Sequence, residues 1–172
     1  LPAQYVEIPA GPTRLGMAAG MEFGWDNEFD LHTQQVETFA ISKYKITNRE
    51  YLAFVDDGGS VPHYWIERNG QWRYRGYHGE VPLPSDFPVY VSYAQALEYA
   101  RWSKKALPTE AQYHRAAFGT PDGVERQFPW GNEYPRAQYG NFDFRHFDLL
   151  PITSDPSGDR AFGGWQKVDN GW

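Results

Sequence analysis

The chain has 172 residues, the size of one domain, so we expect a single domain over residues 1–172. Asp and Glu outnumber Lys and Arg by 22 to 16, and the net charge of −6 argues against a binder of nucleic acid or of anionic membranes. Cysteine is absent, which excludes disulfides and thiolate catalysis and fits a reducing compartment, here the cytoplasm. No apolar run is long enough to span a membrane.

The first forty residues show weak strand signals. Val6–Ile8 and Arg14–Met17 flank a Pro- and Gly-containing segment, which predicts an extended segment, a turn and a return. Gln35–Ile41 predicts one longer strand. Between them stands a polar cluster beside a Trp, formed by Trp25, Asp26 and Asn27. This cluster is a candidate pocket lining, and turn chemistry explains it equally well.

Three predicted helices begin with the same sequence pattern. Thr47, Ser92 and Thr109 are each followed three residues later by Glu or Gln, which is the pattern of a capping box. Gly58 and Gly119 stand where the first and third helices should end. The pattern predicts three short helices, so most of the chain is not helical.

One hairpin is clear from the sequence. Asn69-Gly70 separates two aromatic-rich segments, residues 64–68 and 71–74, and Asn-Gly favours a two-residue type I′ turn. This turn predicts that Trp65 pairs with Tyr74 and that Glu67 pairs with Trp72. From Gly119 to Trp172 there is no strong periodicity, and we expect long irregular loops.

Few residues in the sequence indicate a catalytic or metal-binding role. The five histidines form no metal-binding spacing, and no serine stands in a nucleophile motif, so no catalytic residue is assigned. The loop around Asn141 and Phe142 is rich in oxygen donors, and calcium prefers such loops. Asx turns are the alternative explanation for this loop.

In chain order, several motifs resemble the formylglycine-generating-enzyme (sulfatase-modifying-factor) domain, and the match runs nearly from end to end. They are IPAG at 8–11, ITNREY at 46–51, PVYVSY at 88–93, LPTEAQY at 107–113, FPWG at 128–131 and GNF at 140–142. A finer match is to the iron-dependent sulfoxide synthases of ergothioneine biosynthesis, with ovothiol synthases as close relatives. It rests on FGWDNE at 23–28, FVDDGGS at 54–60 and the YW…GQW hairpin at 64–72.

The resemblance implies an α+β, C-type-lectin-like fold with long loops and few short helices and strands. It also implies a reaction in which non-haem iron(II) and O₂ join a thiol to trimethylated histidine, a histidine betaine, and oxidise the sulfur to the sulfoxide. The thiol donor is cysteine or γ-glutamylcysteine. The formylglycine generators themselves fit less well, because their chemistry uses a Cys pair.

The resemblance further implies that three histidines on a separate DinB-like helical domain hold the iron, so no iron ligand is assigned here. It raises the expectation of calcium at Asn141 and Phe142. Trp172 is a further candidate for lining the pocket. The family motif breaks off at this residue, and the break predicts that the chain is a fragment or a subunit completed by another polypeptide. The alternative is a non-catalytic lectin-like module that binds carbohydrate or peptide.

Overall fold

The computed structural model describes residues 4–20, 23–142, 146–154 and 161–163. Within these ranges it contains seven short strands, three α-helices and one 3₁₀ helix. The strands are β1 (Tyr5–Ile8), β2 (Gly11–Leu15), β3 (His32–Val36), β4 (Phe39–Ser42), β5 (Trp65–Arg68), β6 (Gln71–Gly76) and β7 (Gly79–Pro82). The helices are α1 (Asn48–Asp56), α2 (Tyr93–Trp102) and α3 (Glu110–Phe118), and the 3₁₀ helix is Asp26–Glu28.

The described residues divide into two compact units. The first comprises residues 4–20, 23–43, 108–134 and 161–163, and the second comprises 44–107, 135–142 and 146–154. None of the helices in the described ranges has the length and apolar character needed to cross a bilayer. The expectation of a single domain over residues 1–172 stays a prediction.

All three predicted capping boxes are confirmed. In α1 the Thr47 hydroxyl accepts the Glu50 backbone N–H at 3.2 Å, and the Glu50 carboxylate accepts the Thr47 backbone N–H at 2.8 Å. Ser92 with Gln95 and Thr109 with Gln112 repeat this exchange at the starts of α2 and α3. These local bonds fix where each helix begins, because they satisfy donors that have no partner inside the helix.

The strands of the first unit form one interrupted antiparallel ribbon. β1 pairs with β4 and β2 pairs with β3 in a shared register, since Ile8 faces Phe39 and Gly11 faces Val36. The predicted return from the first segment to the second is therefore wrong: β1 and β2 follow one another along the same side of the ribbon. The single predicted strand over Gln35–Ile41 is also wrong, because β3 ends at Val36 and β4 begins at Phe39.

The interruption has a local cause. Pro9 has no backbone N–H to donate to a strand ladder, so the ladder cannot continue through it. Opposite this gap, the Thr38 hydroxyl accepts the backbone N–H of Ala10 at 3.0 Å and replaces a ladder bond. Helix α3 covers this ribbon, and Ala111 packs with Leu15 and Val36 in the core of the first unit.

The predicted hairpin is confirmed in its register. Trp65 lies opposite Tyr74 and Glu67 lies opposite Trp72, across a turn in which Asn69 has φ 52° and Gly70 has φ 73°. The sequence analysis did not predict β7, which pairs with β6 and extends the hairpin to three strands.

Aromatic side chains form the core of the second unit. The buried members of this core come from α1 and from the three-stranded sheet, and they are Tyr51, Phe54, Trp65 and Tyr74. Tyr99 of α2 stacks on Tyr51 with ring centroids 5.2 Å apart. Along the described residues after α3 there is no further helix or named strand, as the sequence predicts.

Candidate functional site

The predicted pocket residues Trp25, Asp26 and Asn27 lie on an exposed turn of the first unit. The Glu28 carboxylate accepts the Trp25 backbone N–H at 2.7 Å, and the Glu28 N–H donates to the Trp25 carbonyl at 2.9 Å. Asp26 accepts the backbone N–H of Asn27 at 3.0 Å. These short-range bonds build the 3₁₀ turn and leave the Trp25 ring outside it.

The Trp25 ring is 68% exposed and its neighbour Phe23 is 81% exposed. The two rings meet edge to face, with centroids 5.4 Å apart and planes at 78°. An exposed aromatic pair on a hydrogen-bonded turn is suited to contact a planar or cationic group. Trp172, the fourth pocket candidate, lies outside the described residues, so its place relative to this turn stays a prediction.

Asn141 lies in the second unit and clamps the loop 146–148. Its side-chain oxygen accepts the His146 backbone N–H at 3.1 Å. Its side-chain nitrogen donates to the carbonyls of His146 and Asp148, at 2.9 and 3.3 Å. The side chain therefore behaves as an Asx-type loop closure, which was one of the two explanations that the sequence left open.

The described side chains form no cluster that could bind a metal ion. Across residues 4–20, 23–142, 146–154 and 161–163, no set of three or more His, Cys, Asp or Glu side chains is gathered as a metal centre requires. The Asn141 amide nitrogen donates to the carbonyls of His146 and Asp148, and its amide oxygen accepts the His146 N–H. Calcium at Asn141 and Phe142 therefore stays a prediction from the sequence.

A cleft of about 550 Å³ opens in the second unit. It is formed by β6, β7 and the loop 146–150, and its lining includes the side chains of Tyr74, His78, Glu80, Phe87, Phe147 and Asp148. The sequence analysis did not predict this cleft. Its walls come from segments about seventy residues apart in the chain. A local sequence pattern does not predict that such distant segments are in contact.

The cleft has an ordered acidic wall. Both carboxylate oxygens of Asp148 accept the Tyr77 backbone N–H, at 2.9 and 3.2 Å. A Cβ at Gly76 would stand 3.0 Å from each of these oxygens, so a larger residue there would require the carboxylate to shift. On the other wall, Glu80 pairs with Arg68 at 2.9 Å. The Phe147 ring stacks on Tyr77, with centroids 4.6 Å apart.

Tyr74 forms part of the cleft wall and also belongs to the aromatic core. Burial raises the pKa of its phenol, and the nearby Asp148 carboxylate raises that pKa further. Both effects favour the neutral phenol, so the hydroxyl is a hydrogen-bond donor at neutral pH.

Residues 2–159 match the model of the sulfatase-modifying factor enzyme 1-like domain. The chain belongs to this family. The family resemblance seen in the motifs is thus confirmed, and so is the loop-rich α+β fold that it implied.

Three relatives are similar to this chain over most of its length. The chain is 32% identical to a hercynine oxygenase of Mycolicibacterium smegmatis over 97% of its length, and 34% identical to one of Mycobacterium tuberculosis over 86%. A formylglycine-generating enzyme of Streptomyces coelicolor is 30% identical over 97% of the chain. The alignments cover 44% and 39% of the two hercynine oxygenases and 66% of the formylglycine-generating enzyme, so this family domain spans under half the length of the hercynine oxygenases.

The solved structure of PvdO from Pseudomonas aeruginosa has the same fold. It superposes with a TM-score of 0.68 at 25% identity, and the match covers 94% of this chain and 65% of that one. The family domain is therefore similar in sequence to oxygenases and in structure to PvdO.

Proposed function

We propose that this family domain is the substrate-binding part of a sulfoxide synthase of the hercynine-oxygenase type, which uses iron(II) and O₂ in ergothioneine biosynthesis. In the overall reaction a thiol and the imidazole C–H of hercynine combine with O₂ to give an imidazolyl sulfoxide and one water. The new C–S bond replaces the C–H and S–H bonds. One oxygen atom becomes the sulfoxide oxygen, and the other leaves in water with both hydrogens.

The observation that supports the proposal most strongly is the similarity to hercynine oxygenases over nearly the whole chain, at 32% identity over 97% of its length. The relatives' name states an oxygenase that acts on hercynine. The acidic, Cys-free composition is compatible with this chemistry, because the reaction needs no protein thiol. The thiol donor in the proposal is cysteine or γ-glutamylcysteine.

The proposal assigns the Trp25 turn to substrate recognition. Hercynine is a histidine whose amino group is trimethylated, so it offers a planar imidazole and a quaternary ammonium. The exposed rings of Trp25 and Phe23 offer aromatic faces to either group. Asp26 and Asn27, both exposed beside these rings, supply a carboxylate and an amide for polar contacts.

Iron, when bound, would supply the activation of O₂. The described side chains include no three-ligand group and therefore do not fit an iron centre, so no step is assigned to a metal held by them. We place the iron on a separate helical domain of the DinB-like kind, as the family resemblance implies. The role left to this domain is to bind and orient the hercynine and thiol beside that centre.

Binding of hercynine to the purified native protein tests the proposal. Titration calorimetry should show saturable binding of hercynine, with histidine at least about tenfold weaker because it lacks the three methyl groups. The variant Trp25→Ala should weaken hercynine binding about tenfold. Tyr93→Ala is the matched control, since Tyr93 is also highly exposed, at 75%, and stands on the second unit.

Equal binding of hercynine and histidine, or no binding of either, would contradict the proposed substrate. Unchanged hercynine affinity in Trp25→Ala would contradict only the role of the turn. The two failures are therefore separate.

A second candidate function is a lectin-like module for carbohydrate or peptide. The observation in its favour is the set of large aromatic side chains that are more than two-thirds exposed in the described structure: Phe23, Trp25, Tyr77, Tyr93 and Tyr134. Such rings also pack against the C–H faces of sugar rings. Saturable binding to a glycan or peptide library, without hercynine binding, would favour this candidate.

A further inference from the structure

One face of the three-stranded sheet carries three arginines. Arg73 and Arg75 lie two positions apart on β6, on either side of the buried Tyr74. Arg68 on β5 lies opposite Gln71, which is two positions before Arg73 on β6. Because side chains alternate between the two faces of a sheet, all three arginines lie on the face opposite to that of Tyr74, which packs in the aromatic core. We call this surface the arginine face.

Two of these arginines already share a carboxylate. Within strands β5 to β7, all of which the structure describes, Glu80 is the only acidic side chain on the arginine face. Its carboxylate lies 2.9 Å from a terminal guanidinium nitrogen of Arg68 and 3.9 Å from Nε of Arg73. Arg73 also donates to the backbone carbonyl of Glu80 at 3.0 Å. The planar fork of a guanidinium suits a carboxylate, so these contacts indicate the chemical group that this face binds.

Arg75 has no such partner. It lies opposite Glu80 in the strand register, but that carboxylate contacts the other two arginines. In the part of the chain that the structure describes, the exposed guanidinium of Arg75 forms no ion pair and no hydrogen bond. The arginine face therefore carries three positive charges and one negative charge, on a chain with a net charge of −6. Such a local excess of positive charge attracts anions although the whole chain is acidic.

We propose that the arginine face docks an extended protein segment that carries acidic side chains at alternate positions. Side chains two positions apart on a strand are about 7 Å apart, and the same spacing holds in an extended peptide. Two carboxylates of the segment therefore meet Arg75 and Arg73 at once. The first pairs with the guanidinium of Arg75, and the second competes with Glu80 for Arg73 and Arg68.

Charge and geometry favour an acidic protein segment over a nucleic acid. A nucleic acid carries negative charge far beyond the reach of three arginines, where the net negative charge of the chain repels it. The anion that the arginine face holds within the chain is a carboxylate, that of Glu80. The face belongs entirely to the second unit, so the inference rests neither on the Trp25 turn nor on the proposed reaction.

The probe is a short labelled peptide in which Glu alternates with Thr, and the same peptide with Gln in place of Glu is the ligand control. Fluorescence anisotropy with the full chain should show saturable binding of the Glu peptide, at least about tenfold tighter than that of the Gln peptide. Raising the salt concentration from about 50 mM to about 200 mM should weaken this binding severalfold. The absence of saturable binding, or tighter binding of a single-stranded oligonucleotide of equal charge, would overturn the proposal.

Two arginine variants locate the binding. Arg75→Gln should weaken binding of the Glu peptide severalfold, because it removes the guanidinium that has no partner within the described chain. Arg101→Gln, at an exposed position on α2 of the same unit, removes the same charge and should leave the affinity unchanged. Unchanged affinity in Arg75→Gln would overturn the site. An equal loss in both variants would show general charge attraction and would also overturn it.

A glutamate variant tests the competition, and its expected effect has the opposite sign. Glu80→Gln should strengthen binding of the Glu peptide severalfold, because it frees Arg68 and Arg73 from the carboxylate that they share. Glu67→Gln removes an exposed carboxylate on the other face of the same hairpin, opposite Trp72, and should leave the affinity unchanged. An affinity in Glu80→Gln no higher than that of the parent, or an equal gain in Glu67→Gln, would overturn the proposed docking.

Discussion

The guanidinium of Arg115 occupies the space that a side chain at position 11, where β2 begins with Gly11, would need. Arg115 is 3% exposed, and its three guanidinium nitrogens donate to the carbonyls of Pro9, Ala10 and Pro12, at 3.2 to 3.4 Å. The Phe162 ring lies 5.6 Å from the guanidinium carbon. Arg115 thus links the chain on both sides of the point where β1 ends and β2 begins.

Arg115→Met tests this role. Methionine fills a similar volume but donates no hydrogen bond, so three carbonyls lose a donor while the burial of a charge is relieved. We expect the free energy of unfolding to fall by about 2 kcal/mol in a denaturant titration. Arg101→Met, an exposed position on α2, should change it by less than about 0.5 kcal/mol. A more stable Arg115→Met protein would contradict the role.

The relation between Gly11 and Arg115 can be measured directly. Gly11→Ala should destabilise the protein because the new methyl group displaces the guanidinium. In the Arg115→Met background the same substitution should cost less, since the more flexible methionine can move aside. A double-mutant cycle with no coupling energy would show that the two residues do not compete for this space.

The buried Tyr51 predicts a loss of stability at alkaline pH. Tyr51 is fully buried and its hydroxyl donates to the Ser60 carbonyl at 3.1 Å. Burial raises its pKa, the Ser60 side chain lowers it in part, and the Glu98 carboxylate raises it again. The folded state therefore holds the proton more tightly than the unfolded state. The stabilisation is complete below the unfolded pKa of about 10 and is lost as pH rises through the folded value.

Unfolding free energies between about pH 8 and about pH 11 test this sign. Tyr51→Phe should lose about 1 kcal/mol at neutral pH, where the hydrogen bond is missing. The same variant should also show a shallower decline above about pH 10 than the parent. A part of the decline should persist, because the pKa of Tyr74 is raised as well. An identical pH slope in both proteins would refute the assignment to Tyr51.

The clamp formed by Asn141 predicts a local defect when it is removed. Asn141→Ala deletes three hydrogen bonds to the loop 146–148 and should lower the free energy of unfolding by about 2 kcal/mol. Hydrogen exchange of the His146 amide should rise more than that of amides in β5. Equal exchange in variant and parent would show that the loop does not depend on this side chain.

The predicted calcium ligation at Asn141 and Phe142 has a separate readout. Calcium bound there would raise the melting temperature, and a chelator would remove the gain. The gain should vanish in Asn141→Ala. A melting temperature that is indifferent to calcium and chelator in the parent protein would end the calcium prediction.

The parts of the fold that the sequence predicted correctly are local. Each capping box joins residues three positions apart, and Asn69-Gly70 sets the pairing of Trp65 with Tyr74 through its own turn geometry. Such features need no knowledge of the rest of the chain. The ribbon was predicted wrongly because its interruption depends on Pro9 and Thr38 together, which lie on opposite sides of the ribbon. Neither residue alone predicts the position of the other.

The site was predicted less well for the same reason. The polar turn at Trp25 was visible because its bonds join neighbours. The meeting of Tyr74 with Asp148 joins distant segments, and the burial of Arg115 depends on the shape of the ribbon beneath it. Periodicity and motif reading do not contain that information.

The most direct test of the proposed function is product formation by the native protein. The protein is supplied with iron(II), hercynine, cysteine or γ-glutamylcysteine, and isotopically labelled O₂, and the products are read by mass spectrometry. The account predicts a sulfoxide whose mass equals hercynine plus thiol, minus two hydrogens, plus one labelled oxygen. The proposed function is contradicted if only unreacted hercynine is recovered with every thiol, although the protein is folded and retains its iron.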